Sequence, residues 1–334
     1  MKIMSKQEQR QTRLGLPSVS NLCKTKFLSA LAVTALLFAS CSSDDDNTPE
    51  VNDGRVLFSS GVNAATPKVG GNVGSTWDQN DPVGIFMVKH GQALSAANIL
   101  EGADNVEYKA KDTGMSTAFT AISSPIFYPV NGDKADFIAY HPYKSTLTDF
   151  KYPINVATQT NQSAIDLLYA TADKSGAGYD KSQGTTAVDM KFSHQLTKVV
   201  IKVTKGAGVA DLTGMTVKIK GMNTTADFDL VSPAISNEAD VADITPYNVP
   251  SSTNYEAILL PVTFTGSHVV EFTVGGNTYS WTMSKNVGDA NAQVTELKPA
   301  HIYTFNVTVK KNEVEAKGTI QGWTMGGAFN GTAD

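Results

Sequence analysis

The 334-residue chain contains two cysteines, Cys23 and Cys41, so everything after residue 41 is free of thiols. Disulfides, thiolate metal sites and a cysteine nucleophile are thereby excluded from that stretch. Histidine is sparse as well. The five are His90, His141, His194, His268 and His301, and no two stand at metal-ligand spacing. Each is expected to be a strand or turn histidine with a local hydrogen bond. Gly70, Gly71 and Gly74 lack the Lys-Ser/Thr end of a phosphate loop. There is no G-x-S-x-G elbow, and no carboxylate pair is identifiable for acid–base work. No catalytic residue, metal ligand or cofactor is therefore assigned, and the chain is read as non-enzymatic. Past residue 40, arginine occurs once, as Arg55.

Long hydrophobic runs are also missing. The most apolar segment, Phe27–Ser40, is uncharged but shorter than the about 20 residues that span a bilayer. It suits the apolar core of an export signal, with Lys24 and Lys26 as the positive flank. Ala39, Ser40 and Cys41 then resemble a lipobox, although Phe38 stands where Leu or Val is usual. That resemblance implies a diacylglycerol on Cys41, cleavage before it, and attachment to the outer membrane. Ser42, Ser43, Asp44, Asp45 and Asp46 follow. As a polar, like-charged run they read as an extended tether. By resemblance, Ser43, Asp44, Asp45 and Asp46 also look like the surface-export signal of some anaerobic Gram-negative lipoproteins. Residues 1–21 are long for an export flank, as a misassigned start codon would produce.

Removing residues 1–40 leaves 294 residues and takes away six of the 27 basic and one of the 32 acidic side chains, so the mature net charge is −10. Nucleic acid is excluded as a partner, because phosphate binding needs clustered Lys and Arg. The length fits two ordinary domains. The expected division is a signal peptide at 1–40, an acidic tether at 41–54, and β-sandwiches at 55–186 and 187–334. The second boundary is placed in the Gly/Ser-rich stretch 173–186.

From Val51 onward the apolar period is mostly two, which predicts strands. Val199, Ile201 and Val203 alternate with Val200, Lys202 and Thr204, and Val217 and Ile219 with Lys218 and Lys220. Further strands are expected at 56–60, 84–88, 136–140, 255–260, 268–274, 278–283 and 301–309. Gly275–Gly276–Asn277 reads as a tight hairpin turn, and Asn131–Gly132–Asp133 as another turn. The best helical candidate is Gln162–Ala172. Many short strands between turn signals predict an all-β chain of sandwiches with few short helices.

Several segments in order resemble the fimbrillin family, in its Mfa-like branch. The first is Val56–Ser60, like the family's opening strand. Trp77-Asp78-Gln79-Asn80-Asp81-Pro82-Val83-Gly84-Ile85-Phe86 resembles W-x-x-G-D-x-I-G-V-F, with Asn80 in place of Gly. Phe127-Tyr128-Pro129, Ala135–Tyr143 and Asp166–Ala170 follow. Phe192-Ser193-His194-Gln195-Leu196-Thr197-Lys198-Val199 resembles the strand that opens the second domain. Ala257–Pro261, Tyr303–Phe305 and Ile320-x-x-Trp323 complete the set.

The resemblance implies two tandem β-sandwich domains of transthyretin-like topology. It implies a surface pilus (fimbria) subunit, anchor, tip or accessory lipoprotein. An extracellular protease would remove an N-terminal strand, Val56, Leu57 and Phe58 at its centre, and other pilus subunits would join by strand addition. Candidate cleavage sites are Lys68 and Arg55. A cut after Arg55 frees the body from its tether and leaves the strand behind; a cut after Lys68 removes the strand. The Gly-rich tail Thr324–Asp334 has one large apolar residue after Met325, Phe329, which argues against a long donor strand there. Gly318–Trp323 is the alternative donor.

Two other readings stay open. A surface glycan-binding lipoprotein of a nutrient-uptake system would share the anchor and the sandwiches and would need an exposed row of aromatics; Trp77, Trp281 and Trp323 could form a sugar-stacking platform, but core packing is the more common fate of tryptophan. A secreted hydrolase would need a polar cleft with convergent carboxylates or histidines.

Overall fold

The computed structural model describes residues 52–60, 69–70, 74–264, 268–283, 294–311 and 313–322. Every described residue lies in one compact unit, Glu50–Asp334. The described residues are almost wholly β, with two short 3-10 helices at Gln162–Ala164 and Lys181–Gln183.

The strands up to residue 194 are β1 (Phe58–Ser60), β2 (Val69–Gly70), β3 (Gly74–Ser75), β4 (Pro82–Lys89), β5 (Val106–Ala110), β6 (Ala118–Ala121), β7 (Ala135–His141), β8 (Lys151–Asn155), β9 (Leu168–Ala172), β10 (Val188–Met190) and β11 (Ser193–His194). Then come β12 (Thr197–Lys205), β13 (Thr216–Asp229), β14 (Ala234–Ile244), β15 (Tyr247–Asn248), β16 (Asn254–Leu259) and β17 (Val262–Thr263). The last are β18 (Val269–Val274), β19 (Asn277–Thr282), β20 (Glu296–Leu297), β21 (His301–Lys310) and β22 (Glu313–Gly322).

An eight-stranded sheet runs β10-β1-β6-β5-β4-β7-β9-β11. Two five-stranded sheets follow: β15-β16-β12-β21-β22, and β14-β13-β18-β19 with β8 added alongside β13. Pairing is antiparallel except for β1 with β10 and β12 with β21. Gly275 and Gly276, with φ of 57° and 76°, form the two-residue turn between β18 and β19, where positive φ at both positions matches the strand twist.

The period of two fails in several strands, β4, β7 and β16 among them. Residues 83–88 on β4 are buried without a break, because both faces of this central strand are covered. Val83, Ile85 and Met87 join a core with Phe58, Trp77 and Phe137. Phe86 and Val88 join the other core, with Tyr140, Val199 and Phe228. Gly84 has no side chain for a steric reason: an added Cβ would collide with the Tyr140 ring and with Asn105 Oδ1. The Tyr140 hydroxyl donates to that Asn105 oxygen at 2.8 Å.

In the second core, Val199, Ile201 and Phe305 of one five-stranded sheet face Ile219, Phe272 and Trp281 of the other. The rings of Trp281 and Phe305 meet edge to face, 5.0 Å between centroids. This is sandwich packing, with alternate residues turned inward.

Elements cross the sequence position 186/187. β10 and β11 lie beyond it and complete the first sheet, while β8 lies before it and pairs with β13. Two buried polar pairs stand near the crossing: Asp166 with His194 at 2.9 Å, and Lys198 with Glu256 at 2.7 Å.

The helix expected over Gln162–Ala172 does not form. A 3-10 turn occupies Gln162–Ala164, and Leu168–Ala172 is β9, paired to both β7 and β11. A short apolar run fits a buried strand as well as a helix, and here two neighbouring strands take its backbone groups. Among the described residues no helix is long and apolar enough to cross a membrane.

Candidate strand-exchange site

The first ordered stretch enters through two side-chain turns. Asn52 Oδ1 accepts from Gly54 N at 3.2 Å, and Asp53 Oδ1 from Arg55 N at 2.9 Å. The chain then runs antiparallel to residues 126–128. Tyr128 N donates to Gly54 O, and Val56 N to Ile126 O, both at 2.9 Å. Beyond Val56 it passes between two strands. Phe58 lies opposite Phe119 of β6 and opposite Val188 of β10. Val188 N donates to Leu57 O at 2.7 Å, and Ser60 N to Thr117 O at 2.9 Å.

β1 is thus an interior strand of its sheet, with β10 outside it as the terminal strand. Its removal would open a slot with a strand edge on each side. Val56 and Phe58 point inward and are each 1% exposed, and Ser60 is 4% exposed. Leu57 and Ser59 point outward and are half-buried. Phe58 packs edge to face on Tyr108 and Phe137, at 5.2 and 5.0 Å between centroids. The Tyr108 hydroxyl accepts from Ile126 N at 2.8 Å. Burial pushes the Tyr108 phenol up to about 12, and the bond from Ile126 opposes part of that rise. Burying Val56 and Phe58 stabilises the seated strand by about 1.5–3 kcal/mol each.

The two candidate cleavage sites differ. Arg55 is paired with exposed Asp53 at 3.1 Å, and its own side chain is 51% exposed. Its main chain is engaged: Arg55 bridges to Phe127, and the flanking Gly54 carbonyl and Val56 N–H are both bonded. A protease that binds its substrate as an extended strand needs those same groups, so this bond is accessible only after local opening. Lys68 lies outside the described residues, as do Cys41, Ser43, Asp44, Asp45 and Asp46.

His90 bonds Asp136 at 2.8 Å, His141 bonds Pro82 O at 2.8 Å, His194 bonds Asp166, and His301 bonds Pro299 O at 2.7 Å. His268 departs from the expected local bond, since its buried Nδ1 has no hydrogen-bond partner among the described residues. Among the described residues no group of three metal-ligating side chains forms. Trp77 and Trp281 are each 4% exposed, so neither presents a face for sugar stacking; Trp323 lies outside the described residues. A cavity of about 450 Å³ is lined by Asn223, Glu238, His268, Glu296 and Lys298 among others. Lys298 and Glu296 pair there at 3.0 Å, both half-exposed.

Gly318–Gly322 belong to β22, in unbroken register with β21, and the tail that follows lies outside the described residues. The walls of the slot are not legible in the sequence. Val188-Asp189-Met190 has the alternation of a strand, but three residues beside a Gly/Ser-rich stretch give too little signal.

A family model described as Fimbrillin-like matches residues 69–323. A Bacteroides uniformis protein named as the fimbrium subunit Fim1C is 32% identical over 327 residues, covering 93% of this chain and 99% of that protein. A Bacteroides ovatus protein named as a fimbrium tip subunit is 25% identical over 195 residues, covering 53% of this chain and 34% of that protein. The crystal structure of a protein named for cell adhesion, also from Bacteroides uniformis, superposes with a TM-score of 0.66 at 27% identity, covering 83% of this chain and 100% of that one.

Proposed function

The chain belongs to the fimbrillin-like family, and on that premise we propose that it is a component of a surface fimbrium that joins other subunits by strand addition. The observation that carries this reading is the seat of β1. A three-residue strand lies between β6 and β10, with Val56 and Phe58 in the core. Withdrawing it would leave two strand edges unpaired and two apolar pockets empty. A segment of another subunit would restore both, its backbone bonds giving strength and its alternate side chains giving register. While β1 is seated, those edges are covered and premature pairing is prevented.

In this reading Cys41 carries the lipid that holds the precursor at the outer membrane, and Ser43 to Asp46 lead it to the outer surface. An extracellular protease cutting after Lys68 would release β1 with the tether. Lys68 is favoured over Arg55 because β1 precedes it. A cut after Arg55 would leave β1 in place. The sequence divisions 55–186 and 187–334 would move as one, since β10 and β11 of the second complete the slot-bearing sheet of the first and β8 of the first pairs with β13 of the second. The role is structural rather than catalytic, as subunit, anchor, tip or accessory component. Buried Trp77 and Trp281 count against the glycan-binding reading.

Limited digestion of the purified full chain with a lysine-specific protease tests this. Higher species should appear on native gels after the cut and increase with protein concentration. A nicked chain that stays monomeric at every concentration would contradict strand addition.

A further inference from the structure

The slot carries a preference that its resident strand does not satisfy. Three inward positions are filled well. Val56 and Phe58 occupy apolar pockets, and the Ser60 hydroxyl accepts from Thr117 N at 3.3 Å. The outward position between Phe58 and Ser60 is different. Ser59 stands opposite Asp189 in the parallel ladder of β1 with β10. Opposed residues of a pleated pair project from the same face, so Ser59 and Asp189 share the face turned away from Phe58 and Val188. Asp189 Oδ1 is buried there and has no hydrogen-bond partner among the described residues. A buried acceptor without a donor is costly, and the serine at position 59 does not reach it.

We propose that the slot selects an incoming strand with an aliphatic residue, an aromatic residue and a small hydroxyl residue at the positions of Val56, Phe58 and Ser60, and an N–H side-chain donor that reaches farther than serine at the position of Ser59. Lysine is the best fit, because it sets a charge-assisted bond against Asp189. Asparagine is the neutral equivalent. The partner is thus an extended peptide segment of the form aliphatic-x-aromatic-Lys/Asn-Ser, lying parallel to β10 and antiparallel to β6. The resident sequence Val-Leu-Phe-Ser-Ser matches it at every position but one. That single defect would give the partner an advantage over the strand it replaces.

This inference rests on the strand-addition reading for its biological use, but its physical core is testable without exchange. In the full chain, Ser59→Lys should raise the thermal midpoint, and the gain should vanish in an Asp189→Asn background. Ser59→Asn is the companion variant should the lysine chain fold poorly. A gain of equal size in both backgrounds, or no gain from either variant, would overturn the proposal. In the protease-nicked full chain, synthetic peptides spanning 53–60 provide the second arm. The peptide with lysine at position 59 should bind about tenfold more tightly than the native peptide, and Asp189→Asn should remove the difference. Equal affinities would overturn the proposal. If no peptide binds while Ser59→Lys still stabilises through Asp189, the pairing stands and the strand-addition reading fails.

Discussion

The side-chain amide of Gln159 hydrogen-bonds both backbone groups of Ile258, accepting from its N–H at 2.8 Å and donating to its carbonyl at 2.9 Å. β15 covers β16 only at Tyr255 and Glu256, so Gln159 continues that edge with a single side chain. It is 3% exposed, so the bonds it makes are shielded from solvent. Gln159→Ala should therefore lower the unfolding free energy by about 2 kcal/mol, the cost of stranding buried backbone groups. Urea denaturation measures this; an unchanged midpoint would mean the bonds contribute nothing net.

The two sides of the opening strand should respond differently. Phe58 is 1% exposed and touches Tyr108 and Phe137, so Phe58→Ala should cost about 3–5 kcal/mol. Leu57 is half-buried on the opposite face, and Leu57→Ala should cost less than about 1.5 kcal/mol. Equal losses in thermal unfolding would show that the inward pocket is not what holds the strand.

Gly84 should not tolerate a methyl group. Its Cβ would meet the Tyr140 ring and Asn105, and moving the ring would break the 2.8 Å bond between them. Gly84→Ala is expected to destabilise by about 1–3 kcal/mol through overpacking. Gly84→Ala combined with Tyr140→Phe should recover little, because the ring itself is the obstacle. Full recovery in that double variant would place the strain in the hydrogen bond instead.

His268 should make stability depend on pH. It is buried, and burial holds its pKa below the ordinary 6.5. The unfolded chain then takes up a proton as pH falls through about 6.5, while the fold keeps the ring neutral. Stability is full above that point and declines below it until the folded pKa is reached. The thermal midpoint should drop between pH 7.5 and 5.5, and His268→Phe should drop less. Identical slopes would assign the pH dependence to other groups.

Much of the all-β architecture is legible in the sequence because strands with one wet face keep a period of two. Residues 301–309 announce β21 in that way. Legibility fails where that asymmetry is lost. Residues 83–88 are buried on both faces, so they show no alternation. Leu168–Ala172 carries an apolar run that fits helix or strand, and only its pairing to β7 and β11 decides. Of the candidate site, Val56 and Phe58 are visible as a strand. Their seat is not, since β10 lies 128 positions beyond β1 and Asp189 acquires meaning only opposite Ser59. Gly84 is visible as a motif glycine, but its reason, the Tyr140 ring, is a long-range contact.

The central claim is that β1 leaves its slot. N-terminal sequencing of the protein recovered from the cell surface tests it most directly. The expected result is a chain that begins at Val69, after removal of Val56, Leu57 and Phe58 with the tether. A surface form that begins at lipidated Cys41, or at Val56 after a cut at Arg55, would keep β1 and contradict the account.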